Sequence, residues 1–255
     1  MRVAALYDIH ANLPALEAVL SEIRKERVDQ IVVGGDVLPG PMPLQTMECL
    51  LSLDIPAGFI FSFIKGNGDR EVLAQMSGVE TDWFRTAAES WRVPVRWSAQ
   101  QLDTRHQRVL ESWSPTWCME IAGLGGVLFC HATPRNDTDI FTSLTPEEVL
   151  LPVFAGLEVS VVVCGHTHMQ FDRVIGGARV VNAGSVGMPF GEPGADWLVL
   201  GPGVELRHTA YDFARAAERI RATTYPQAEE FAARNVLQPP PAEETLAAFT
   251  RAGLK

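Results

Sequence analysis

The chain has 255 residues, 47% hydrophobic and 20% charged, with a formal net charge of −10. This length and balance fit one large globular domain, residues 1–255, whose core is big enough to fold without disulfides. The acidic balance argues against a nucleic-acid-binding surface, and no run of about 18 apolar residues offers a membrane span. The N-terminus lacks the pattern of a secretory leader, so a cytoplasmic protein is expected.

VAALY (residues 3–7) reads as a short buried strand. Asn12 is placed as the N-cap of a helix, with Pro14 in its first turn and Leu13, Leu16, Val19, Leu20 and Ile23 at helical spacing. QIVVGGD (30–36) is a second strand, PLQTMECLLSLD (43–54) a helix, and AGFIFSFIKGNGD (57–69) a third strand. The opening is therefore β-α-β-α-β, which predicts an α/β fold with a largely parallel first sheet. Residues 70–115 break that rhythm and read as an inserted helical cap, in which Trp83, Trp91, Trp97 and Trp113, with Trp117 just beyond, are expected to pack.

The rest is strand-rich. TWCMEIAG (116–123) and GGVLFCHATP (125–134) form a hairpin, and Thr145, Pro146 and Glu148 compose a capping box for a helix. SVVVC (160–164) is a buried strand that meets Gly165, His166, Thr167 and His168. Gly176 and Gly177 between FDRVI and ARVVN are a two-residue hairpin signal. ADWLVLG (195–201) pairs with VELRHTAY (204–211), and residues 212–255 form a polar helical tail interrupted by QPPPAEE. The cysteines lack metal or redox spacing and are expected as reduced thiols, with Cys130 and Cys164 buried at the ends of apolar runs.

The polar residues gather where strands end. Asp8 and His10 follow the first, Asp36 the second, Asn67 and Asp69 the third, His131 the hairpin, and His166 and His168 the apolar run at 161–164. Sites in open α/β sheets form outside the carboxyl ends of strands. If strand geometry persists through the turn, His166 and His168 point the same way. Two aspartates, an asparagine and four histidines are too rich a set for one ion, and suit two divalent ions sharing a carboxylate. His106 and His208 are left over and expected at the surface.

D-x-H, G-G-D, G-N-x-D, a lone histidine after a strand, and G-H-T-H, in that order from residue 8 to 168, resemble the calcineurin-like metallophosphoesterase superfamily and its small bacterial and archaeal phosphodiesterase branch. The resemblance implies a four-layer sandwich of two mixed β-sheets flanked by helices. It also implies phosphoester hydrolysis, by a phosphodiesterase or phosphatase, with hydroxide bridging two metals as nucleophile. Asp8, His10, Asp36 and His168 would hold the first metal, Asp36 would bridge, and Asn67, His131 and His166 would complete the second. Mixed N/O donors suit manganese, iron, cobalt, nickel or zinc.

Within that reading Asn67 helps orient the phosphoryl group, Asp69 holds a neighbouring histidine, and Arg70 anchors a phosphate. The loop 182–191 lines the substrate opening. The sequence departs from the family pattern at Ala11, where glycine is usual, and at Gly68, where many members carry a histidine that serves the leaving group. His106 is the spare histidine that could supply that proton, and a histidine at position 68 would do so if the cleft has room. The expected partner is a small phosphorylated substrate such as a nucleotide, with homo-oligomerisation open. The alternative is a non-catalytic protein-binding scaffold on the same fold.

Overall fold

The computed structural model describes residues 1–51 and 60–254. The elements in chain order are β1 (Val3–Leu6), α1 (Leu13–Lys25), β2 (Gln30–Val33), α2 (Pro43–Leu51), β3 (Ile60–Phe63), α3 (Asn67–Met76), α4 (Asp82–Thr86), α5 (Glu89–Gln100) and α6 (Thr104–Ser112). They continue with β4 (Thr116–Ile121), β5 (Gly125–Cys130), α7 (Glu147–Phe154), β6 (Val161–Cys164), β7 (Phe171–Ile175), β8 (Ala178–Asn182), β9 (Ala195–Leu200), β10 (Val204–Thr209), α8 (Phe213–Arg221) and α9 (Ala228–Phe231). A π-helical turn (Ala232–Leu237) and α10 (Ala242–Ala252) close the chain. The sequence places the third strand from 57 and the second helix to 54; residues 52–59 lie outside the described residues.

Two five-stranded mixed sheets form, ordered β10-β9-β1-β2-β3 and β4-β5-β6-β8-β7. In the first, β1, β2 and β3 run parallel and β9 is antiparallel to β1. In the second, β5, β6 and β8 run parallel while β4 and β7 are antiparallel at the edges. Val3, Ala5 and Tyr7 of one sheet and Val127, Phe129, Val161 and Val163 of the other share a core between the sheets. The outer face of the first sheet packs on α1 and α2 through Leu16, Val19, Ile23 and Met47, and that of the second on α7 through Leu150 and Phe154. Helices therefore flank both sheets, as the resemblance implies.

Local expectations meet mixed fates. Asn12 caps α1, its side chain accepting from Ala15 N at 3.3 Å. Gly176 and Gly177 turn the β7–β8 hairpin with φ of 57° and 91°, which only glycine adopts freely. The capping box at Thr145 does not form: α7 starts at Glu147, and Thr145 Oγ1 instead accepts from Thr142 N at 2.9 Å. Of the tryptophans expected to pack, Trp113 is buried on Phe63 and Trp97 meets Tyr225, while Trp83, Trp91 and Trp117 are exposed. Among the described residues no helix is long and apolar enough to cross a membrane.

Candidate metal centre

The strands β1, β2 and β3 of one sheet and β5 and β6 of the other end at one place. Their loops interlock through the backbone. Asp8 N donates to Gly35 O at 3.0 Å, His10 N to Asp36 O at 2.9 Å, and Gly165 N to His131 O at 2.8 Å. Tyr7 crosses the core and donates its hydroxyl to Val163 O at 3.0 Å. The motif glycines make room for that ring: a Cβ on Gly34 would lie 2.0 Å from Tyr7, and one on Gly165 would lie 2.6 Å from it and 2.4 Å from Asp8 Oδ2.

Two clusters of ligand-type atoms stand side by side. Asp8, His10 and His168 form one, and Asp36, His131 and His166 the other, the atoms of each lying within 4.8 Å of one another. Asp36 Oδ2 sits between them, 3.9 Å from His10 Nε2 and 3.6 Å from His131 Nε2. One end of the Asn67 amide lies 3.1 Å from His131 Nε2 and 3.0 Å from both His166 Nδ1 and the carbonyl of Asp137. Without a cation the amide nitrogen suits that position; beside a cation the oxygen does.

The tautomers make the clusters fit for cations. His10, His131 and His168 each turn Nδ1 to a backbone carbonyl, of Pro39 at 3.3 Å, Gly34 at 3.0 Å and Met188 at 2.9 Å. A proton on each Nδ1 leaves the Nε2 lone pair facing inward, the arrangement that orients metal-ligating histidines. The Nε2 atoms of His10 and His168 are then two acceptors only 3.2 Å apart. Asp8 Oδ1 is buried without a well-directed hydrogen bond, although His168 Nε2 stands 3.2 Å away. A cation resolves both conflicts. Burial holds His10 and His166 down to about 3, so both are neutral and available. Without a cation a proton on His168 takes that place: burial would raise Asp8, but protonated His168 outweighs it and holds the carboxyl below the usual carboxylate range, while burial would lower His168 and Asp8 raises it instead. Burial and the neighbouring Asp8 push Asp36 well up.

The backbone here is strained. Asp8, His10, Ala11, Asp36, His166 and His168 have φ between 46° and 66°, and they are the non-glycine residues in that region among those described. Such conformations cost about 1–2 kcal/mol each and gather at functional sites. The expectation that strand geometry carries through the turn is overturned: β6 stops at Cys164 and Thr167 N turns back on Gly165 O at 2.8 Å. His166 and His168 consequently join different clusters.

Two further expectations change, those for Asp69 and His106. Asp69 holds no histidine. Its buried carboxylate accepts from Leu38 N and Gly66 N, each at 3.0 Å, and so ties the loop after Asp36 to the start of α3. Burial and then Asp36 push this carboxyl up to about 8. Arg70 grips Asp137 through Nε at 2.8 Å and Nη2 at 3.2 Å, and pairs with Glu71, at the edge of a cleft beside His131. His106 is buried rather than exposed, with Nδ1 on Asp103 at 2.7 Å and Nε2 on Glu48 at 2.9 Å. His208 is exposed as expected.

Sequence reasoning missed the carbonyls of Gly34, Pro39 and Met188, since every residue has one. The loop 182–191 supports ligand residues: Ser185 Oγ donates to Asp8 O at 2.7 Å, Gly187 N donates to the same carbonyl at 3.0 Å, and Met188 O faces His168 Nδ1 at 2.9 Å. Glycines in that loop were the one available signal.

Residues 1–200 match the profile of the Calcineurin-like phosphoesterase superfamily domain. An uncharacterized protein of Methanocaldococcus jannaschii is 25% identical, covering 88% of this chain and 94% of its own. Among solved structures, a metallophosphoesterase from Sphaerobacter thermophilus is 25% identical with a TM-score of 0.67, over 92% of this chain and 99% of its own. A hypothetical protein from Pyrococcus horikoshii shares the fold, with a TM-score of 0.78 at 18% identity over 94% of this chain and 99% of its own.

Proposed function

Because the chain belongs to the calcineurin-like phosphoesterase superfamily, we propose that it hydrolyses phosphoesters, as a phosphodiesterase or phosphatase, with a binuclear metal centre. The observation that carries this reading is the pair of adjacent clusters whose lone pairs converge while the ring protons are tied to carbonyls. Asp8, His10 and His168 would hold one ion, Asn67, His131 and His166 the other, and Asp36 would bridge. When bound, the two ions would neutralise charge on the phosphoryl oxygens and bring the pKa of a water toward about 7. Manganese, iron, cobalt, nickel and zinc all suit these donors.

The protein's own groups set the geometry. The carbonyls of Pro39, Gly34 and Met188 fix the imidazole rings, and Gly68 N fixes Asp36 through Oδ1 at 2.7 Å. Asp69 holds the two loops that carry Asp36 and Asn67. Arg70, through Asp137, braces the cleft where a small phosphorylated substrate would enter. Four free cysteines support a reducing, cytoplasmic setting.

The test is a screen of phosphate mono- and diesters with protein loaded with each metal in turn. Hydrolysis that a chelator abolishes and added metal restores is the expected result. Turnover indifferent to chelator, or none with any metal, would sink the reading.

A further inference from the structure

A cleft of about 500 Å³ opens beside His131, on the Asn67 side of the centre. Its charged rim holds three cations, Lys65, Arg70 and Arg135, and one carboxylate, Asp137. The two arginines are engaged, Arg70 with Asp137 and Arg135 with Asp139. Lys65 differs. Its ammonium makes only a 3.5 Å contact to the Glu111 carbonyl and has no carboxylate partner among the described residues. The backbone beneath it is tied to the segment after α6, since Lys65 N donates to Ser114 O at 2.9 Å. In a chain of net charge −10, a held but unpaired cation facing a cleft that touches the metal cluster is suited to an anion.

We propose that this cleft receives the leaving group of the substrate and that Lys65 selects leaving groups carrying their own negative charge, such as the phosphate half of a phosphoanhydride. The inference rests on the hydrolase reading above and adds a substrate class to it. In the step concerned, the oxygen of water bonds to one phosphorus and the bridging oxygen departs with the electron pair as part of the second phosphate. Both protons of the water pass to solvent or product. The departing phosphate emerges with added negative charge, which an ammonium stabilises. Trp113 and Pro115 give the cleft an apolar wall against which the body of that group can rest.

Two probes separate this idea from the reading beneath it. Bis(4-nitrophenyl) phosphate releases a leaving group with no second phosphate, while P1,P2-diphenyl diphosphate releases phenyl phosphate. Lys65→Ala is expected to lower the ratio of kcat/KM for the diphosphate over the diester about tenfold, and Lys65→Arg to restore it. Calorimetric titration of metal-loaded protein with phenyl phosphate needs no turnover, and Lys65→Ala should weaken that binding about tenfold. An unchanged ratio together with unchanged phenyl phosphate binding overturns the Lys65 assignment. If neither probe is hydrolysed, the hydrolase reading falls, and the titration alone then decides whether Lys65 holds an anion.

Discussion

Asp36 shows how much one side chain carries. Its Oδ1 is held by Gly68 N at 2.7 Å, and its Oδ2 faces a histidine from each cluster. Asp36→Asn should therefore damage both clusters together: bound metal should fall well below two ions per chain, and kcat should drop roughly a thousandfold or more. A variant with near-normal metal content and turnover would show that Asp36 bridges nothing. Gly68 is the other decisive residue. A Cβ there would lie 2.4 Å from Leu38 O and 3.0 Å from Pro39, so the space expected for a histidine ring is filled by the loop after Asp36. Gly68→His should cost about 1–3 kcal/mol from overpacking, seen as a lower thermal midpoint, rather than supply an acid. His106 supplies none either, since both its ring nitrogens are occupied. The rate should accordingly fall steeply as leaving-group pKa rises, because a general acid is otherwise worth about 10²–10⁴-fold. A flat plot of kcat/KM across substituted aryl and alkyl diesters would reveal an acid in some other group.

Between elements, the site depends on loops that hold one another. Asp69, in the first turn of α3, accepts one N–H from its own N-terminus and one from the loop after β2. An amide in its place accepts one of these and turns an NH₂ toward the other. Asp69→Asn should thus lower stability by about 1–3 kcal/mol and weaken metal binding by about 10–100-fold, as expected when the support of ligands is lost. Denaturant midpoints and metal titrations would check this, and values matching the parent would show that the clamp is dispensable. Ser185 performs the same service for Asp8 from the far side, where the loop after β8 meets the end of β1.

Across the whole molecule, two sheets bring their strand ends to one edge, and five polar side chains there sit in left-handed backbone. Buried lone pairs facing each other oppose folding until a cation arrives. Metal loading should hence raise the thermal midpoint. A hundredfold excess over Kd stabilises by about 2.7 kcal/mol for each occupied site, which at about 2–4 °C per kcal/mol is a rise of roughly 5–10 °C per ion bound that a chelator reverses. Scanning calorimetry with and without metal checks it, and an unmoved midpoint would argue that the clusters hold no ion.

Much of this was legible in the linear chain, and the limits have physical causes. The strands β1, β2, β5 and β6 announce themselves as short β-branched or apolar runs closed by glycine or a polar residue, because burial on both faces permits little else. The order of the D-x-H, G-G-D, G-N-x-D, lone-histidine and G-H-T-H motifs was enough to identify the superfamily, since those residues are chosen for their chemistry one by one. Local periodicity could not say that His166 and His168 part company, because that depends on a turn after Cys164 rather than on strand alternation. Nor could it say that Asp69 binds backbone, that the loop at Leu38 and Pro39 fills the place of a missing histidine, or that His106 is buried against Glu48. Each is a contact between residues far apart in the chain or a matter of shared space. Residue types along the sequence determined which chemistry was present; only the packing of the two sheets decided which groups face one another and which gaps are already full.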